Sequence, residues 1–317
     1  MEIRGRLHFW DNCVTPPPIV VGLGEILWDL LPSGRQLGGA PANFAYCSHL
    51  LGNRATVASR IGNDDLGKDV RHRLRHSGLD DGLLQSDPAH PTGTVMVELD
   101  PNGQPKYDIT AEVAWDFMEW TDVWEGLAQS ADAVCFGSLA QRSEQSRTTI
   151  LKFVEATRKA TLRVFDVNLR QKFFTPEVLE QSMQRSNVVK LNSDELVVLK
   201  DLLGFGRNLL DHTSFCRVLL SRYDLKFVCV THGANGSVLC DSSGVYRHTG
   251  FQVSVKDTVG SGDAFTAGLV HSFLSGQTPD EMNDLANRMG AWVASSPGGM
   301  PPAAQDGFKR SLMSMNF

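Results

Sequence analysis

The chain reads as an α/β protein, a mostly parallel sheet covered by helices on both faces, with a small β-sheet lid. Three observations predict this. Its 317 residues, 42% of them hydrophobic, suffice for one large core. Short apolar runs rich in β-formers alternate with helical stretches, the order that gives parallel strands buried on both sides. One hairpin breaks that rhythm and has no helix after it.

Residues 1–18 read as a ragged leader closed by Pro16, Pro17 and Pro18, and residues 19–310 as one domain. The first core strand is Ile19 to Gly22, with further strand-like runs at 55–59, 133–137, 163–167, 188–191 and 227–231. Helical stretches fall at roughly 40–51, 65–76, 143–160, 176–186, 193–203 and 213–222. Thr94 to Leu99 alternates like a half-exposed strand, Pro101-Asn102-Gly103 is a turn signal, and Gln104 to Thr110 returns. This hairpin is either surface decoration or, with the segment near 30–38, a lid over a site, its two pieces spanning about 30–38 and 92–112. Such a lid is also the expected surface for a homodimer.

A formal net charge of -6, a pI near 5.8 and the lack of a dense Lys/Arg run argue against a nucleic-acid partner. The basic stretch Lys68 to Arg75 reads as the solvated face of a helix. The six cysteines form no CxxC pair and no Cys/His cluster, which suits a reducing compartment and argues against zinc. No run approaches the roughly 18 apolar residues of a membrane span, and the N-terminus lacks a signal-peptide core, so a cytoplasmic setting without membrane contact is expected.

The most informative stretch is Asp257-Thr-Val-Gly-Ser-Gly-Asp263-Ala-Phe-Thr-Ala-Gly268. Gly260, Ser261 and Gly262 lead into a helix carrying Phe265, Leu269 and Phe273 on one face. Unpaired N–H groups and the positive dipole end at such a helix start favour an anion. Asp263 could simply cap the helix, but capping does not explain the flanking glycines and Asp257. The alternative is a base that takes a proton from a hydroxyl while the N–H groups hold a transferring phosphoryl group.

Gly38-Gly39-Ala40-Pro41-Ala42-Asn43 is a tight turn or a ligand contact, Asn43 offering both donor and acceptor. Asp29 follows the first strand and belongs at the carboxyl ends of the strands, where open α/β sheets bind ligands. Asn192 and Glu195, one turn apart, form a capping box or order the waters of Mg²⁺. Thr231-His-Gly233-Ala-Asn-Gly236 either borders nucleotide phosphates or joins two strands; His232 receives no role. Gly62 to Lys68 reads GxxxxGK, but Asp69 stands where a phosphate loop needs Ser or Thr. Gly22-Leu23-Gly24 begins a dinucleotide pattern, but Leu27 takes the third glycine's place.

Together these pieces resemble the PfkB-type, ribokinase-like carbohydrate kinases. Gly39-Ala40-Pro41-Ala42-Asn43, with Gly52 and Gly62 beyond it, looks like that family's first signature, and residues 257–268 look like its second. The resemblance implies ATP as donor, Mg²⁺ as cofactor and a small sugar as acceptor. It implies Asp263 as base with Gly260, Ser261 and Gly262 lining an anion hole. Asp29, Gly38, Gly39 and Asn43 become sugar contacts. Asn168 and Arg170, in a DxNxR segment beginning at Asp166, would face substrate and phosphate. Asn192, Thr231, Gly233, Gly236, Asn287 and Ala291 would border the nucleotide. Asn192 and Glu195 would hold Mg²⁺ through water, and Asp257 and Val259 would hold K⁺. Gly24-Glu25, the DVNLRQ run and Ala114-Trp115-Asp116 look most like fructokinases, with 2-keto-3-deoxygluconate kinases the nearest competitor.

Overall fold

A computed structural model describes residues 16–32, 34–99, 105–204, 211–303, 308, 311 and 312. Most of the expected leader, and the turn at Pro101-Asn102-Gly103, lie outside the described residues.

The chain enters through β1 (Ile19–Leu23), leaves the main sheet for β2 (Leu27–Leu31) and β3 (Gly34–Gly38), and returns by α1 (Ala40–Leu50) to β4 (Arg54–Gly62). After α2 (Asp65–His76) and β5 (Leu84–Asp87) it makes the hairpin β6 (Gly93–Leu99) and β7 (Pro105–Ile109). Then follow α3 (Asp122–Ser130), β8 (Ala133–Phe136), α4 (Glu144–Ala156), β9 (Leu162–Asp166), α5 (Pro176–Arg185), β10 (Val188–Asn192) and α6 (Ser193–Leu202). The last part holds α7 (His212–Tyr223), β11 (Phe227–Thr231), β12 (Ser237–Asp241), β13 (Val245–His248), α8 (Ser261–Leu274) and α9 (Pro279–Ala294).

Among the described residues, the large sheet runs β13-β12-β11-β10-β9-β8-β1-β4-β5. It is parallel from β5 to β11, with β12 and β13 antiparallel at one edge. Alternate strand residues feed two cores. Val20, Ala133, Val164 and Val188 face the α1, α2, α8 and α9 layer. Val21, Val134, Phe165 and Val189 face the layer of α3 to α7. This two-sided burial is why those strands read as continuous apolar runs.

The four hairpin and excursion strands form a separate sheet, ordered β3-β2-β6-β7. Its central β2–β6 pair is parallel and its outer pairs antiparallel. The expected helices are present within a few residues, but α3, α9, β5 and β13 were not anticipated, and α4 ends at Ala156, where Thr157 turns extended.

β1 sits between β4 and β8, so the strand order reverses there, and crevices at such switch points take ligands. The excursion to the small sheet starts from the carboxyl end of β1, which sets the small sheet over that crevice.

Candidate active site

A cavity of about 1050 Å³ lies between the two sheets. Its wall includes Asp29, Gly39, Asn43, Asn168, Arg170, Asn192, Glu195, Thr231, Gly233 and Gly236. It also includes Asp257, Val259, Gly260, Ser261, Gly262, Asp263, Asn287 and Ala291. Of the residues singled out from sequence, Gly38 stands apart: it lies under the Asp29 carboxylate, where a Cβ would come within 2.4 Å of Oδ2.

Asp263 occupies the first turn of α8, yet it does not cap that helix. Gly260 is the N-cap, with φ 76, and no side chain closes the turn. The Asp263 carboxylate turns away from its own helix and accepts a hydrogen bond from Asn43 Nδ2 at 2.8 Å. Burial, then the charge of Asp166, pushes its pKa up to about 6, against the opposing pull of Asn43, Lys190 and Arg170. A carboxylate so placed is a proton acceptor poised near neutrality.

Below it, the amide donors are partly free. Ser261 N–H donates to Thr258 O at 3.2 Å. The N–H groups of Gly262 and Asp263 meet no acceptor among the described residues, as expected of a first helical turn. Gly260 must be glycine here: besides its left-handed φ, a Cβ would meet Gly299 Cα at 2.4 Å.

The turn that delivers Asn43 is as tight. Gly39 has φ 104, and a Cβ there would lie 2.5 Å from Glu25 O. Asn43 is one turn into α1, 3% exposed, so its rotamer is fixed by packing.

Beneath α8 lies a buried ion pair. Lys190 on β10 stands in register with Asp166 on β9, and its Nζ donates to both carboxylate oxygens at 3.0 and 3.1 Å. Thr266 Oγ1 donates to the same Asp166 at 2.9 Å, tying α8 to the strand ends. Burial works against the Lys190 charge, but Asp166 and then Glu195 outweigh it and raise its pKa. A cation is thus held beside Gly262, whose Cβ position is 3.0 Å from Lys190 Nζ.

The small sheet supplies Leu27, Asp29, Val95 and Ile109 to the wall. Asp29 is lifted to about 6, by burial first, with Arg170 opposing and Asp257 adding. Asn168 and Gln171 both have left-handed φ, 40 and 49, which bends the loop carrying Arg170 back to the cavity.

At the other end, Asn192 and Glu195 form the capping box of α6. Glu195 accepts from Asn192 N at 2.8 Å and from Leu169 N at 3.0 Å, and burial raises its pKa. Asn287 lines the cavity, but its amide hydrogens go to Ser237 Oγ and Asn283 O, each at 2.7 Å. Asp257 latches two backbones, accepting from Val259 N and from Gly298 N, each at 3.0 Å. Among the described residues no group of three or more His, Cys, Asp or Glu could hold a metal ion. Asn192 and Glu195 reach the cavity wall with their side-chain oxygens engaged in the capping box.

Sequence reasoning gave no role to Glu25 or Lys190. The available signal was a lone charge inside each apolar run, Val20 to Trp28 and Val188 to Leu191, since a charge there must be paired or functional. The two decoys proved structural. The GxxxxGK segment ends in a helix start where Asp64 accepts from Gly67 N at 2.7 Å. Gly22 packs under Pro41, whose carbonyl a Cβ would meet at 2.1 Å.

The pfkB family carbohydrate kinase model matches residues 34–306. A fructokinase of Escherichia coli is 33% identical over 298 residues, covering 88% of this chain and 94% of the relative. An uncharacterized sugar kinase from Pyrococcus horikoshii, solved in complex with ATP, has a TM-score of 0.78 at 26% identity, over 93% of this chain and 99% of that one. The fold also matches a 2-dehydro-3-deoxygluconokinase from Thermotoga maritima, with a TM-score of 0.80 at 18% identity, over 94% of this chain and 100% of that one. The cavity at the switch point thus belongs to a member of the pfkB family of carbohydrate kinases.

Proposed function

We propose that the chain transfers the terminal phosphoryl group of ATP to fructose, with Asp263 as base. One observation carries the reading: the Asp263 carboxylate is turned off its helix, held by Asn43 at 2.8 Å, beside unclaimed N–H groups at the start of α8. The likeness to the fructokinase of Escherichia coli supports the choice of sugar.

In this mechanism the sugar lies under the small sheet, the lid, with Asp29, Gly39 and Asn43 as its contacts. Asp263 accepts the hydroxyl proton as the oxygen attacks phosphorus. The N–H groups of Gly262 and Asp263 take the charge developing on the phosphoryl oxygens, each donor contributing about 3 kcal/mol to lowering the barrier. Lys190 sets a fixed positive charge beside the same turn without entering the chemistry. The nucleotide lies along Thr231, Gly233, Gly236, Asn287 and Ala291. Magnesium, when bound with ATP, neutralises phosphate charge, with Asn192 and Glu195 holding its waters. The assignment of K⁺ to Asp257 and Val259 belongs to the same proposal, as does a homodimer formed through the lid.

A second reading is phosphorylation of 2-keto-3-deoxygluconate, and Arg170 does not separate it from the first. The Arg170 guanidinium lines the cavity and is exposed, so it is available to a substrate carboxylate as well as to phosphate.

A coupled ADP-release assay over fructose, other ketoses, ribose and 2-keto-3-deoxygluconate, run in KCl and in NaCl, tests both. Fructose is expected to give the highest kcat/KM, with faster turnover in KCl. Highest kcat/KM for the sugar acid would move the assignment to the second reading. No ADP with any sugar would leave a sugar-binding protein without turnover.

A further inference from the structure

Glu25 is 3% exposed, at the point where the chain leaves β1 for the small sheet. Its own N–H and that of Ala40, the first residue of α1, approach one side of the carboxyl. The other oxygen, Oε2, is buried and has no hydrogen-bond partner among the described residues. Glu25 nevertheless lines the cavity, on the wall shared with Asp29, Asn43, Arg170 and Asp263.

A carboxyl oxygen cut off from water and left unpartnered is costly, and buried polar groups are almost always partnered. The surface at which a ligand meets Glu25 is the cavity it lines. Gly39 keeps the arrangement tight, since a Cβ there would strike the Glu25 carbonyl.

We propose that Glu25 is a specificity-determining residue whose Oε2 hydrogen-bonds a hydroxyl of the acceptor sugar other than the one phosphorylated. The inference rests on the reading of this end of the cavity as the sugar site. A hydroxyl suits Glu25 in either protonation state, since it donates to the carboxylate and accepts from the acid. That tolerance is needed, because burial, with Asp263's charge adding and Arg170's opposing, lifts the group to about 7. A sugar bearing a methylene at that carbon would leave Oε2 unpaired, and discrimination by a buried polar group left without its partner is large.

The test is a comparison of Glu25→Ala and Glu25→Gln with the wild type, using fructose and its monodeoxy analogues. Glu25→Ala is expected to raise KM for fructose about 10- to 100-fold, the span of one hydrogen bond to a charged group. KM for ATP and kcat should stay within about threefold, which a general loss of structure would not allow. Glu25→Gln keeps the shape and a donor, and is expected to raise KM less than about tenfold. One monodeoxy fructose should suffer in the wild type by the same factor and suffer nothing further in Glu25→Ala, the coupling expected of two groups in contact. Additive losses for every analogue, or an unchanged KM for fructose in both variants, would overturn the proposal. A wild type that turns over no fructose would fail the fructose reading and this one with it; turnover with additive losses fails this one alone.

Discussion

Two helix starts in this chain look alike in sequence and behave differently. Before α2 the run Gly62-Asn-Asp64-Asp65 is a glycine turn with acids at the helix start, and before α8 Gly260-Ser-Gly-Asp263 is another. At α2 the Asp64 carboxylate faces its own helix and the residue before β6, accepting from Gly67 N at 2.7 Å, Thr92 N at 2.8 Å and Thr92 Oγ1 at 2.6 Å. Burial works against its charge, but those donors outweigh burial and lower its pKa. At α8 the Asp263 carboxylate has one donor, on another helix, and burial lifts it to about 6. One acid is spent on structure and the other is kept available, and the difference lies in how many N–H groups each is given.

The sharpest way to break the contrast is to neutralise each acid. Asp263→Asn should lower kcat about 10²- to 10⁴-fold, the usual contribution of a positioned base, with ATP binding retained. Asp64→Ala should leave kcat within about twofold and cost about 1–3 kcal/mol of stability, from a lost cap and an unpaired Thr92 amide. Steady-state kinetics and thermal melts read both. Near-normal turnover in Asp263→Asn would remove its role as base.

Sequence carried the fold well because alternation of apolar strands with helices survives without any contact information. It carried the cavity too, with Gly38 alone among the chosen residues standing behind the wall. What it left undecided were the two-way readings, such as cap against base at Asp263 or capping box against metal ligand at Asn192 and Glu195. Those depend on where one side chain turns, which spacing does not contain: Asn43 meets Asp263 across 220 positions. The Lys190–Asp166 pair was hidden for the same reason, since register between β9 and β10 is a tertiary fact.

A second, smaller effect concerns the donor. Asn43 lowers the Asp263 pKa through its hydrogen bond, so Asn43→Ala should let it rise further above about 6. Less of the base is then ionised at a given pH, and the acid limb of the kcat profile should move upward. A pH–rate series from about pH 5 to 9 checks this. An unmoved limb would mean that Asn43 acts on the sugar and not on the base.

A last effect is on stability. Glu25 at about 7, with Asp29 and Asp263 at about 6, is raised in the fold above the ordinary 4.5 and 3.8. Each therefore binds its proton more tightly folded than unfolded, so its contribution to stability is full in acid and is lost as pH climbs through those values. Asp64 has the opposite sign and gives up its contribution only as pH falls below the ordinary carboxylate range. Glu25→Gln removes a group that must be ionised in a buried site above neutrality. Relative to wild type its melting temperature should therefore rise between pH 5 and pH 8, the full linkage being on the order of 3 kcal/mol. The same measurement on Asp64→Ala should show no such gain across that range, because both folded and unfolded forms are already ionised there. A melting difference for Glu25→Gln that is flat with pH would mean the carboxyl keeps its ordinary acidity, and that its burial is not costly to its charge.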